Sequence, residues 1–124
     1  MGLVITTPAS PGDVLDRITI LHIKAAQGLP VATEAASLRA AWSTASLPAP
    51  ESLPEYAALH EVNTALWDIE DRLRACEARG DFGPAFVEDA RRVYRTNDQR
   101  AELKRQVNDR LGSAFREEKR HVRY

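Results

Sequence analysis

The sequence has little of what many well-known sites and scaffolds require. It contains one cysteine, Cys76, so it can form neither an internal disulfide nor a metal cage of several cysteines. No apolar run approaches the roughly 20 residues of a membrane-spanning helix, and no signal-peptide pattern opens the chain. Basic and acidic residues nearly cancel, at a net charge of −1, which gives no general reason to expect nucleic acid as a partner. We therefore expect a cytoplasmic protein without a membrane span.

The motifs of common catalytic sites are also missing. The three histidines are scattered, and no glycine-rich loop or nucleophile elbow is present. Two Asp-x-x-Asp pairs occur, Asp13 with Asp16 and Asp68 with Asp71. This spacing is found in some magnesium sites, but Arg17 and Arg72 stand four residues from an aspartate, which favours ordinary surface ion pairs. We expect no metal and no cofactor, and we favour a protein that is not an enzyme.

The clearest positive pattern is a run of apolar residues spaced alternately three and four apart. Its members are Leu59, Val62, Leu66, Ile69, Leu73 and Cys76. This spacing is typical of a coiled-coil seam and predicts a long helix packed nearly antiparallel to a neighbour. Gly80 is expected to end this helix and Pro84 to begin the next one. On the seam, Cys76 is expected to be a small buried hydrophobe.

The other segments also have helical periodicity, so we predict an all-α fold. The expected architecture is a small bundle of four to five helices forming a single domain over residues 1–124. Residues 1–9 are expected to be extended, with Leu3-Val4-Ile5 covering the core. Three prolines make residues 43–54 a loop, and residues 116–124 are expected to be a frayed basic tail.

The first helix is expected to begin at Ser10-Pro11-Gly12-Asp13, where serine can cap the free amides and proline fits the first turn. Its apolar stripe comprises Val14, Ile18, Leu21 and Ala25. Ile20 and Ile23 point to nearly the opposite side. A helix that is apolar on two sides lies between two packing surfaces, so this helix is expected to be central in the bundle or to form a subunit contact.

Shorter signals mark the remaining helices. A short helix is expected over 33–42, with Leu38 and Trp42 facing inward. Residues 96–99 resemble a capping box, which predicts a break or bend before a last helix. The buried side of the helix before that break is expected to comprise Phe86, Val87, Ala90, Val93 and Tyr94. The last helix is expected to turn Leu103, Val107, Leu111 and Ala114 inward.

Polar residues flank the apolar faces of two of these helices. The candidate polar site comprises Asn63, Trp67, Glu70, Arg95, Asn97, Arg100, Lys104 and Asn108. Several bases and amides around a cleft suit a small anion such as a phosphate or carboxylate. The alternative, which we favour, is an interhelical hydrogen-bond network that fixes the helix register, with Glu70 paired to Lys104 or Arg100.

Several strings together resemble a bacterial family known only as a domain of unknown function. They are SPGDVLDRITIL at 10–21, NTALWDIED at 63–71, GDFG at 80–83, YRTND at 94–98 and RAELKRQVN at 100–108. The region 28–54 departs from the family pattern. The resemblance implies no catalytic residue; by association only, it implies a link to cell-surface glycan biosynthesis.

Two functions are expected from these observations. The first is a non-enzymatic interaction or scaffold protein that self-associates as a homodimer through the second face of the first helix, at Ile20 and Ile23. The alternative is a binding module or enzyme for a small anionic metabolite, such as a sugar nucleotide or phosphosugar. The last 34 residues hold eleven Lys and Arg against five Asp and Glu. Since the chain as a whole carries a net charge of −1, we do not expect this basic end to bind nucleic acid.

Overall fold

A computed structural model describes residues 2–123 and confirms the all-α prediction. Within these residues four α-helices form a small bundle, and there is no strand. The helices are α1 (Pro11–Ala26), α2 (Ala32–Thr44), α3 (Pro54–Arg79) and α4 (Pro84–Leu111), with a short 3-10 helix at Pro50–Ser52. No helix among the described residues is long and apolar enough to cross a membrane.

The start of α1 has the predicted cap. The Ser10 hydroxyl accepts a hydrogen bond from the Asp13 amide at 3.1 Å, which satisfies one of the free N–H groups of the first turn. Pro11 occupies the first helical position, where its missing N–H costs nothing. The helix ends before Gly28, whose φ of +81° is a left-handed conformation that glycine adopts readily.

The next helix, α2, contributes one fully buried residue to the core, Trp42. Trp42 is buried, and its indole N–H donates to the Pro48 carbonyl at 2.7 Å. This bond ties the end of α2 to the proline-rich connection. The connection is shorter than predicted, because α2 continues to Thr44 and Pro54 already belongs to α3.

The two long helices α3 and α4 form an antiparallel hairpin. Four of the six predicted seam residues on α3 are buried, namely Leu59, Leu66, Ile69 and Cys76. Polar contacts join the helices near both ends. Arg72 donates to the Asp89 carboxylate at 2.9 and 3.0 Å, and Arg110 donates to Glu55 at 2.8 Å. Gly80 ends α3 at a φ of +66°, as expected.

The predicted break at 96–99 is wrong, since α4 continues through these residues without interruption. The capping-box letters are only a local signal. They contain neither glycine nor proline, and α3 packs along α4 on both sides of them. Tertiary packing therefore keeps the helix continuous.

Helix α1 lies in the groove between α3 and α4. Asn108 accepts a hydrogen bond from the Gly12 amide at 2.7 Å, close to the start of α1. A Cβ at Gly12 would lie 2.5 Å from the Lys104 carbonyl oxygen, so only glycine permits this approach. Because α1 is shorter than α3 and α4, it covers one part of the hairpin. We call the covered part the body, and the far end, residues 70–79 and 84–93, the arm.

Several residues expected to be buried lie at the surface. Leu3, Val4 and Ile5 are 91, 80 and 78% exposed, so the amino-terminal segment does not cover the core. On α4, Val87 and Tyr94 are exposed, because no third helix among residues 2–123 covers them. Ala114 lies beyond the end of α4 and is also exposed. Residues 113–123 form no helix; Met1 and Tyr124, which belong to the predicted terminal segments, lie outside the described residues.

Candidate functional site

A cavity of about 260 Å³ lies where α1, α3 and α4 meet. We call it the central cavity. It is lined by Ile20, Ile23, Asn63, Leu66, Trp67, Glu70, Asn97 and Arg100. Five of the eight predicted site residues therefore converge, and the two isoleucines of the second face of α1 form part of the wall. We expected α1 either to be central in the bundle or to form a subunit contact. Its central position accounts for the apolar side chains of Ile20 and Ile23, since both line this cavity.

A buried network of polar groups adjoins the cavity, with Asp16 at its centre. The Asp16 carboxylate, 2% exposed as a residue, accepts bonds from Arg100 at 2.9 and 2.5 Å and from the Asn63 amide at 2.9 Å. The same Asn63 amide donates to the Thr19 hydroxyl at 2.9 Å. Helices α1, α3 and α4 each contribute to this network, which therefore joins them through buried hydrogen bonds.

The acid of this network is Asp16 rather than the predicted Glu70. The hydrogen bonds to Asp16 raise the pKa of the Arg100 guanidinium, against the opposing effect of burial. The Arg100 charge is therefore balanced within the protein by a two-bond contact with a carboxylate. An anion entering the cavity would have to compete with Asp16 for it.

Three other groups that line the cavity are free of such bonds. Among residues 2–123, no hydrogen bond or ion pair engages the side chains of Trp67, Glu70 or Asn97. Trp67 and Asn97 are half-buried, while Glu70 lies at the exposed edge. The cavity thus offers the indole of Trp67, an amide and an unpaired carboxylate to a ligand.

Lys104 lies outside the cavity and is also neutralised. Its ammonium group contacts Asp13 at 2.8 Å and Glu117 at 3.1 Å. Burial by itself would lower the pKa of Lys104, but the bonds to the two carboxylates outweigh it and the pKa is raised. The contact with Glu117 holds the carboxy-terminal segment against α4.

The two remaining predicted site residues have separate surroundings. Asn108 is buried and accepts from the Gly12 amide, so it anchors the start of α1. Its side-chain nitrogen has no hydrogen-bond partner among the described residues. Arg95 is exposed and lines a different groove beside Val62 and Glu102. The predicted site is therefore divided among the cavity, the start of α1 and a second surface.

Sequence reasoning missed Asp16 because it treated the residue as one of a surface pair. A signal was present in the spacing of α1. Gly12, Asp16, Thr19 and Ile23 are spaced four, three and four apart and therefore share one helix face. This face points at α3 and α4, which explains why it carries small and hydrogen-bonding residues. Asp13, by contrast, pairs with Lys104 and not with Arg17.

A second feature, which we call the arm groove, continues beyond the central cavity. It has a volume of about 360 Å³ and is lined by Glu70, Leu73, Arg74, Glu77, Phe86, Ala90 and Val93. The four apolar residues of its floor are only half-buried. The groove is the extension of the one that α1 fills in the body.

No group of three or more metal-binding side chains is brought together among the described residues. Comparisons of the chain with protein-family models, with curated proteins and with solved structures found no match. A function for this chain therefore has to be inferred from the geometry of the central cavity and of the arm groove.

Proposed function

We propose that this protein is a non-enzymatic helical interaction protein of the cytoplasm that self-associates through the arm groove. In this proposal the arms of two copies pack against each other and form a short four-helix bundle with a coiled-coil-like seam. The observation that carries the proposal is the uncovered apolar floor of the arm groove, formed by Leu73, Phe86, Ala90 and Val93.

The body supports this proposal by its packing. There, α1 fills the groove between α3 and α4, and Leu15, Ile18 and Leu59 become almost fully buried. In the arm, none of the helices that the structure describes does this. Burial of apolar area gives about 25 cal/mol per Å², so a helix that covered the arm groove would gain the same kind of stabilisation.

The charges beside the groove favour a second copy as the occupant. On α3, Arg74 lies between Glu70 and Glu77 along one face, and none of the three makes an ion pair among residues 2–123. When two identical helices meet antiparallel with the two-fold axis between Glu70 and Arg74, each arginine faces Glu70 of the other copy, so this register is charge-complementary. A register centred on Arg74 would instead place the two arginines opposite each other.

The alternative function, binding of a small anionic metabolite, is less favoured by the same observations. Asp16 neutralises Arg100, and Asp13 and Glu117 neutralise Lys104. Two of the three predicted bases are thus already paired, and the third, Arg95, lines a different groove. The link to cell-surface glycan biosynthesis stays a prediction from the sequence resemblance.

Sedimentation velocity tests the proposal. The protein is expected to show a concentration-dependent dimer at micromolar concentrations, and Leu73→Asp should be monomeric because it places a charge on the groove floor. Val87→Asp is the matched control, since Val87 is exposed on α4 outside the groove and this variant should still dimerise. A strict monomer for the unmodified protein would contradict the proposal.

A further inference from the structure

The central cavity combines partial enclosure with polar groups that have no partner. Its volume of about 260 Å³ is slightly below the roughly 300 Å³ at which typical small-molecule sites begin. Trp67, Glu70 and Asn97 line it, and their polar groups are not engaged within residues 2–123. A register-fixing network needs none of these three groups, because Asp16, Thr19, Asn63 and Arg100 already bond one another.

The charge at the cavity determines the kind of ligand that fits. Arg100 and Asp16 cancel each other through two hydrogen bonds. The wall from α1 is apolar, consisting of Ile20 and Ile23, and the remaining polar groups from α3 and α4 are uncharged except for Glu70. The cavity therefore has one uncompensated charge, which is negative, at its edge.

The apolar groups complete the site. Ile20, Ile23 and Leu66 offer a surface for a hydrocarbon body. An aromatic ring attracts cations to its face, and an indole does so most strongly. Trp67 and Glu70 together therefore favour a cationic head group over a neutral or anionic one.

We propose that the central cavity binds a small organic amine, whose ammonium group is held by Glu70 and the neighbouring amides and whose short apolar body lies against Ile20 and Leu66. This differs from the anionic ligand expected from the sequence. It rests on the cavity of one copy and does not require self-association. In the proposed dimer Glu70 would face Arg74 of the other copy, so the amine and the second copy would compete for this carboxylate.

Titration with 2-phenylethylamine, followed by ¹H–¹⁵N NMR, tests the inference. The indole N–H resonance of Trp67 is expected to shift in a saturable manner. That of Trp42, which is buried and bonded to Pro48, should stay in place and serves as an internal reference. The same titration of Arg74→Glu separates the two proposals, because this variant should not dimerise and should still bind the amine at least as tightly as the unmodified protein.

The variant Glu70→Gln identifies the group that holds the ammonium. Loss of a hydrogen bond to a charged group should weaken amine binding by about tenfold or more. The matched control is Glu77→Gln, which removes the same charge from the arm groove and should leave binding unchanged, since Glu77 does not line the cavity. Glu70 has no internal partner, so neither substitution should reduce stability.

Two ligands of similar shape decide the charge preference. The neutral 2-phenylethanol and the anionic 3-phenylpropionate should both bind at least about tenfold more weakly than the amine. The inference is overturned if either binds as well as the amine. It is also overturned if millimolar amine leaves the Trp67 resonance unmoved, or if Glu70→Gln binds the amine as tightly as the unmodified protein.

Discussion

The body and the arm are built from the same two helices, yet they differ in what covers them. In the body, α1 lies on the α3–α4 hairpin, and residues such as Leu59 and Val107 are completely buried. In the arm, Leu73 and Val93 occupy corresponding positions but are only half-buried. Cys76 is buried in the arm even without such cover, so the missing third element leaves some apolar residues of the seam half-buried, such as Leu73, but not all of them.

Polar groups differ between the two regions in the same way. In the body, Asp16 and Asn63 are buried and bond groups on other helices. In the arm, most ion pairs are exposed, such as Arg92 with Glu88, and such pairs contribute little to stability. Buried hydrogen bonds therefore set how the helices of the body align with one another. In the arm, Glu70, Arg74 and Glu77 have no ion pair among the described residues and can bind a partner.

The largest expected effect is the loss of the central ion pair. Arg100→Ala would leave the buried Asp16 carboxylate without its charged partner, which costs about 3–5 kcal/mol of unfolding free energy. Urea denaturation measures this loss. Arg105→Ala, which removes an exposed pair with Glu102, is the control and should cost no more than about 1 kcal/mol. If both variants lost the same free energy of unfolding, the buried pair would contribute no more to stability than the exposed one.

A smaller loss is expected where α1 begins. Gly12→Ala would place a methyl group 2.5 Å from the Lys104 carbonyl oxygen, and such overpacking costs about 1–3 kcal/mol. Thermal unfolding should show a clear decrease in melting temperature. Gly2→Ala has open space around it and should leave the melting temperature unchanged. If the melting temperature of Gly12→Ala equalled that of the unmodified protein, α1 would not approach α4 as closely as the structure shows.

The smallest effect on stability is expected in the arm and depends on pH. The Arg72 guanidinium lowers the pKa of Asp89, so this contact stabilises the fold above the ordinary pKa of aspartate, about 4, and the stabilisation is lost as the pH falls. Asp89→Asn should therefore be less stable than the unmodified protein at pH 7 but not at low pH. Urea denaturation at both pH values measures this.

The control for this pH dependence is Asp71→Asn, which removes an exposed carboxylate that makes no ion pair among the described residues. It should show no comparable dependence. A difference between Asp89→Asn and the unmodified protein that persisted at low pH would contradict the assigned cause.

The sequence carried enough information for the fold because its main signals are local. The seam from Leu59 to Cys76, the cap at Ser10 and the stop at Gly80 each act within a few residues, and the structure contains all three. The signal at 96–99 was equally local but was overridden by packing. Residues 3–5 were misjudged because an apolar string alone does not specify what it packs against.

The site was predictable only in part, for a related reason. Helical spacing identified Asn63, Trp67, Glu70, Asn97 and Arg100, which share the cavity. It could not pair them, because ion pairing depends on how α1 lies across the hairpin. Arg100 and Asp16 are 84 residues apart in sequence, and no local rule joins them.

A charge-exchange experiment on the arm groove tests the account most directly. Arg74→Glu leaves only acids beside the groove, and the double variant Glu70→Arg/Glu77→Arg leaves only bases. Each protein alone should sediment as a monomer, while an equimolar mixture should form a heterodimer because its charges are complementary. If the separate variants dimerise as well as the unmodified protein, or if their mixture stays monomeric, the arms are not the surfaces that join two copies.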